Sequence, residues 1–209
     1  AIVLNLFYDY EGQKQDLIRY MRETENQLQI LLCELAAYLH NKDMEINVWD
    51  RIIAFEGRMH EFIKAAYDYQ DNTFHSHPGY YIDYFEMRLA QLQVLHNLHY
   101  EIKKIRKMPK QALVIADYIM YMADYVVEMN IPDQQIEKLE EISEQMKQEE
   151  LPKTREEFEG RALLYHILMD LEEFLVYKKR FVNGLDEKKL RIYWKQEMEQ
   201  KDSANELQK

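Results

Sequence analysis

Seven histidines and one cysteine are the residue types in this chain that could hold a transition metal. His75 and His77 flank Ser76, Glu56 and His60 lie four apart, and His96 and His99 lie three apart. On a helix, spacings of three and four put both side chains on one face. Such His/Glu pairs bind metal when neighbouring helices supply further ligands. A di-iron bundle needs Glu-x-x-His on each of two helices plus more glutamates, and neither Glu56–His60 nor His96–His99 has that form. The histidines therefore read as surface or hydrogen-bonded groups, and a helical metal-dependent enzyme ranks third among functions. Cys33, within Leu31-Leu32-Cys33-Glu34-Leu35, has no second cysteine to pair with and reads as a buried, inert thiol in a reducing compartment. The chain has no Gly-x-Ser-x-Gly turn, Walker loop or dinucleotide-binding glycine pattern. The expectation is a protein that is not an enzyme, with no catalytic, cofactor or metal residues.

Two constellations are suited to binding. The block Tyr80-Tyr81-Ile82-Asp83-Tyr84-Phe85-Glu86-Met87-Arg88 is denser in aromatic residues than a core stripe requires. Tyr80, Tyr81, Tyr84 and Arg88 could line a pocket in which the guanidinium grips a carboxylate with two parallel hydrogen bonds. The plainer reading is aromatic core around a buried, paired arginine. Lys103, Lys104, Arg106, Lys107 and Lys110 form the clearest basic cluster. Such charges complement a helix C-terminus; the alternative is a patch facing the phosphates of an inner leaflet.

These groups must be positioned by helices. Gly (5) and Pro (4) are too few for an all-β chain with a turn every few residues. The apolar pattern recurs at three and four. Leu17, Met21, Thr24, Leu28, Leu31, Leu35 and Leu39 form the seam of a first helix over 13–40. Trp49, Ile52, Ile53, Met59, Ile63 and Ala66 stripe a second over 47–69, capped by Asn47. Tyr81, Tyr84, Arg88, Leu92, Leu95, Leu98, Ile102 and Ile105 share a row on a third over 80–107. A fourth runs from Pro109 to Met129, buried on much of its circumference, and a short fifth carries Ile136, Leu139, Ile142 and Met146. Thr154 and Glu157 make a capping box opening a helix with Phe158, Ala162, Tyr165, Leu168 and Leu175 on one face. Asn183-Gly184 closes it as a left-handed cap. Leu185, Ile192, Trp194 and Met198 mark a last amphipathic piece.

The fold class is all-α: a single helical bundle of six or seven helices, several of them long (20–30 residues). Residues 1–9, opening Ile2-Val3-Leu4-Asn5-Leu6-Phe7, read as the stub of an upstream membrane segment or as a packing arm. Residues 10–184 make the bundle, and 185–209 a C-terminal helix with a frayed tail. The net charge of −11 repels duplex nucleic acid and anionic surfaces on average, so nucleic acid is not an expected partner.

Tyr80 through Gln91 resembles the central signature of the putative aromatic acid exporter C-terminal domain family. Leu151-Pro152-Lys153-Thr154-Arg155-Glu156-Glu157-Phe158-Glu159-Gly160-Arg161-Ala162 resembles its second, and Asp170-Leu171-Glu172-Glu173-Phe174-Leu175 also matches. The similarity covers about residues 10–180. It implies an N-terminal membrane domain as the partner upstream and a place at the cytoplasmic face of a bacterial cell membrane. It further implies an accessory or regulatory role in a membrane efflux protein, with small aromatic carboxylates as candidate ligands. The alternative is a purely structural module that assembles a homo-oligomer. Gly160 stands where the resemblance leads one to expect Asn or another polar residue.

Overall fold

The computed structural model describes residues 2–41, 47–72 and 79–194. Among them are seven helices and no strand: α1 (Ile2–His40), α2 (Val48–Asp71), α3 (Gly79–Lys104), α4 (Ala112–Ala123), α5 (Asp133–Lys147), α6 (Arg155–Asn183) and α7 (Glu187–Tyr193). This is the all-α bundle that the periodicity predicts. No helix among the described residues is long and apolar enough to cross a membrane. His75 and His77 lie outside the described residues, as does the tail beyond Trp194.

α1 spans 39 residues, or ~58 Å at 1.5 Å per residue. The boundary expected after residue 9 falls inside it. Its seam of Leu17, Met21, Thr24, Leu28, Leu31, Leu35 and Leu39 is buried as the spacing requires. The Thr24 hydroxyl donates to the Tyr20 carbonyl at 2.7 Å, so the one polar member of the row is satisfied. α2 returns antiparallel along α1. Arg58 reaches Glu23 at 3.0 Å, Arg51 pairs with Glu34, and Tyr20 stacks on Phe62 with centroids 4.4 Å apart.

α3 is the central helix. Phe85 and Tyr81 meet Phe62 and Tyr69 of α2, Gln91 bonds to Phe174 of α6, and Tyr84 reaches Glu25 of α1. Its expected row is buried throughout, and so are Tyr80, Ile82, Phe85, Met87 and Val94 beside it. A helix with neighbours on several sides buries more than one stripe, so α3 is enclosed on much of its circumference, and α4 buries Ala112, Ile115, Ala116, Tyr118, Ile119, Met122 and Ala123.

Four expectations need correction. On α2 the buried face is Val48, Ile52, Phe55, Met59, Phe62, Ala66 and Tyr69, which leaves Trp49 and Ile53 exposed. The true row includes both phenylalanines, and the Phe62 ring packs against Tyr20 and Phe85. On α6 Phe158 is 62% exposed, and Leu164, Ile167, Leu168, Leu171, Phe174, Leu175, Lys178 and Phe181 face inward. α4 stops at Ala123 instead of Met129 and begins at Ala112 rather than in the turn of Pro109. Past Ala123 the chain turns inward, and this delivers Glu128 to the hydroxyl of Tyr80. Gly184 closes α6 with φ −80, in the right-handed region, its N–H donating to the Arg180 and Phe181 carbonyls at 3.0 and 3.1 Å. No left-handed residue is needed there.

Two helix starts follow the predicted chemistry. The Asn47 side chain accepts from the Asp50 N–H at 3.4 Å. Thr154 accepts from the Glu157 N–H at 3.1 Å, while the Glu157 carboxylate turns back to the Lys153 N–H at 3.0 Å. The second bond lands one residue earlier than in the usual reciprocal box.

Candidate functional site

Tyr80, Tyr84 and Arg88 recur every four residues on α3, and Gln91 follows three later, so the four side chains share one stripe. Facing helices turn that stripe into a buried polar cluster. Arg88, 1% exposed, donates to the Gln91 side-chain oxygen at 2.9 Å and reaches Glu25 at 3.5 Å. Its guanidinium carbon lies 5.1 Å from the centre of the Tyr84 ring, and its buried Nε has no partner. The Tyr84 hydroxyl donates to Glu25 at 3.0 Å. Gln91 donates to the Phe174 carbonyl of α6 at 2.7 Å. The Tyr80 hydroxyl donates to the Glu128 carboxylate and accepts from the Trp194 indole at 3.1 Å. Lys178 of α6, 4% exposed, donates to the Glu128 backbone carbonyl.

Two cations and two carboxylates from different parts of the chain thus meet around two phenols. Burial pushes the Tyr80 and Tyr84 hydroxyls far above the ordinary phenol range. They donate hydrogen bonds and do not ionise near neutrality. Burial also lowers Lys178 well below its usual value and raises Glu128, each toward its neutral form. The chemistry on offer is recognition: charge-assisted hydrogen bonds in a dry, aromatic setting. The structure brings Tyr80, Tyr81, Tyr84 and Arg88 together, but all four are packed rather than lining an open pocket.

A second polar concavity, of about 230 Å³, lies between α3 and α6, lined by His96, Asn97, Tyr100, Glu101, His166 and Asp170. Burial, then Glu101 and Glu173, raise Asp170 to about 6, with His166 opposing. His99 is buried with neither ring nitrogen partnered, and burial lowers its pKa. Its ring lies 6.2 Å from that of Trp49, which His96 meets edge-on at 4.5 Å. Among the described residues, no three of His, Cys, Asp and Glu are placed to share a metal ion. Cys33 is half-buried, and burial raises its thiol pKa.

Lys103, Lys104, Arg106, Lys107 and Lys110 are exposed around the end of α3. Lys104 pairs with Glu101 at 2.9 Å and lies 4.8 Å from the Tyr100 ring centre; Lys110 reaches Glu149 at 3.4 Å. Trp49 and Arg51, at the start of α2, touch His96 and Glu34. This places the basic segment at the end of the bundle where α1 terminates. The first residues of α1 lie at the opposite end, ~50 Å away along that helix.

A model of the family described as the putative aromatic acid exporter C-terminal domain matches residues 14–179. The chain belongs to this family. The exporter-family domain is 26% identical over 183 residues to the uncharacterized protein YqjA of Bacillus subtilis (strain 168). That match takes in 87% of this chain and spans 55% of the relative's length. A crystal structure of a putative membrane protein from Clostridium difficile 630 shares its fold, with TM-score 0.72 and 23% identity. The match covers 80% of this chain and 97% of that one.

Half of the exporter-family domain's polar cluster is absent from the sequence reading. Glu25 follows Thr24 and is one of many α1 acids. Lys178 sits in a Lys178-Lys179-Arg180 run that reads as a basic helix end. Glu128 carries the one available signal, an acid inside the apolar run Val126-Val127-Glu128-Met129. The family's second signature packs the start of α6 onto its surroundings. A Cβ on Gly160 would stand 2.9 Å from Pro109 Cγ and 3.3 Å from the Lys107 carbonyl. This close approach explains a glycine where a polar residue is expected. Arg161 holds the Glu150 carbonyl and the Glu157 carboxylate, each at 2.6 Å, while Leu151 is left 85% exposed.

Proposed function

We propose that this domain is the regulatory part of a membrane exporter, standing on the cytosolic side and coupled to the membrane part through α1. Its buried polar cluster is the seat of control, and a small organic anion is the signal. One observation carries the reading. The carboxylate held by Tyr84 and Arg88 belongs to Glu25, which is on α1. An incoming carboxylate would compete with Glu25 for the same phenol and guanidinium, and α1 is the single rigid element leading back toward the chain's beginning. Family membership supports the exporter context. The global negative charge works against indiscriminate attraction of anions, so recognition would rest on the local Tyr84 hydroxyl and Arg88 guanidinium.

The test is export of benzoate and 4-hydroxybenzoate from cells carrying the full-length exporter, wild type or Glu25→Gln, at matched membrane levels. The variant should change the export rate or its dependence on internal acid several-fold. Identical export curves for wild type, Glu25→Gln and Arg88→Met would remove the regulatory reading.

A further inference from the structure

One side of α1 is left open between two neighbouring helices. Asn26, Ile30, Cys33 and Ala37 follow one another at four, three and four residues, so they form a single strip. The strip is the floor of a shallow trough of about 650 Å³. α2 makes one rim, where Arg51 pairs with Glu34 and Arg58 with Glu23. α4 makes the other, where Asp117 meets His40 at 3.0 Å and Asp124 reaches the trough. Leu113 and Met120 stand on the same row of α4 as these two acids and are 47% and 45% exposed. One rim is therefore basic, and the other is acidic and apolar. The acidic side lacks cations: Asp124 is exposed with no ion-pair partner among the described residues, and one Glu34 oxygen is buried and bare. α4 runs against α1, so Asp124, seven residues past Asp117, lies ~10 Å back from His40, level with Cys33. Arg51 pairs with the next residue, Glu34. Arg51 and Asp124 thus stand at one level of α1, on opposite rims.

We infer that this trough and its rims are the docking face for a second copy of the chain, related by a two-fold axis parallel to α1. Such an axis carries the α2 rim of each copy onto the α4 rim of the other. It leaves levels along α1 unchanged, so Arg51 of each copy meets Asp124 of the other. A guanidinium has five donors, enough to keep Glu34 and add a second carboxylate. Leu113 and Met120 lose their exposure in the same contact. A two-fold axis across α1 would set basic rim on basic rim and acidic on acidic, so the charges select the parallel arrangement. Both α1 helices then run the same way, as two copies held by one membrane require. The face measures roughly 20 Å by 25 Å, on the order of 500 Å² per copy against about 800 Å² in a standard interface. The dimer is therefore weak for the separate chain and strengthened when both copies are tethered together. It does not depend on any anion at the buried polar cluster.

The test is sedimentation velocity of the 209-residue chain from ~10 µM to ~1 mM, with each variant checked for helicity and melting. Wild type should pass from monomer to dimer across this range. Arg51→Glu and Asp124→Arg should each weaken association about tenfold, because both rims of the pair then carry like charges. Mixing these two variants should restore association, since in the mixed pair each rim again meets its opposite. Met120→Lys should weaken association and gain nothing from mixing. Cys33, on the trough floor, reports where the copies touch. Its alkylation should slow several-fold over the same concentration range in wild type and stay constant in Met120→Lys. A wild-type chain that remains monomeric at ~1 mM overturns the inference. So does a dimer that is indifferent to the mixing, or one in which Cys33 alkylation never slows, since its contact lies on another face.

Discussion

Glu25 accepts a 3.0 Å hydrogen bond from Tyr84 across 59 residues of sequence. The same carboxylate oxygen lies 3.5 Å from an Arg88 nitrogen, so one α1 side chain serves two groups of the central helix. Arg88 is the largest fully buried side chain among the described residues. Its charge is tolerable there because Glu25, Gln91 and the Tyr84 ring surround it.

Removing Glu25 alone leaves that guanidinium underpaired. Breaking one side of a buried ion pair costs about 3 kcal/mol or more. The Glu25 side chain is 17% exposed, which lets water answer part of the loss. Glu25→Leu is expected to cost about 2–3 kcal/mol in urea unfolding. Adding Arg88→Met should recover most of it, since an apolar pair of similar volume replaces a buried charge pair at little net cost. A double variant no more stable than Glu25→Leu would show that Arg88 does not depend on this partner.

Two glycines give opposite expectations. Gly160→Ala would push a methyl group against Pro109 and the Lys107 carbonyl. Overpacking of that kind costs about 1–3 kcal/mol, outweighing the helix propensity gained. Gly57, exposed in the middle of α2, has nothing within 4 Å of the point where an alanine methyl group would stand. Gly57→Ala should stabilise by about 1 kcal/mol. Thermal melts of the two variants should move in opposite directions.

Asp170 makes stability depend on pH. Its folded value, about 6, lies above the ordinary 3.8, so the folded chain binds this proton more tightly than the unfolded one. Its contribution to stability is present below about pH 4, is lost as pH rises toward 6, and then stays lost. Asp170→Asn should raise the urea midpoint above pH 6 and leave it nearly unchanged below pH 4. A variant with the same midpoint as wild type at pH 7 would contradict this.

Thr154 is the clearest cap. Its hydroxyl accepts from the Glu157 N–H at the start of a 29-residue helix. Thr154→Ala should cost about 1 kcal/mol, whereas Thr154→Ser should cost little. Equal losses for both would point to packing of the threonine methyl group instead.

The bundle is largely legible without its tertiary contacts, because period and capping are local. The α1 seam and the α3 row are read directly from spacing. The faces of α2 and α6 are less legible. Trp49, Ile53 and Phe158 are as apolar as the residues actually buried, and only neighbouring helices decide which apolar side turns inward. The end of α4 is less legible for a similar reason: an acid inside the apolar run Val126–Met129 marks Glu128 as unusual, but only the fold decides that it turns toward Tyr80. At the candidate site, Tyr80, Tyr81, Tyr84 and Arg88 form one block and are conspicuous. Glu25, Glu128, Lys178 and Trp194 come from distant stretches, and pairing across such separations is a property of the fold rather than of any one segment.

The distance between the two poles of α1 has an electrostatic consequence. Fixed charges in physiological salt lose most of their influence within a Debye length of about 8 Å. The lysines and arginines between 103 and 110 are several such lengths from the opening turns of α1. A counter-ion, a lipid or a protein meeting one pole is electrostatically invisible to the other. Any message between them must travel mechanically, as displacement of packed helices.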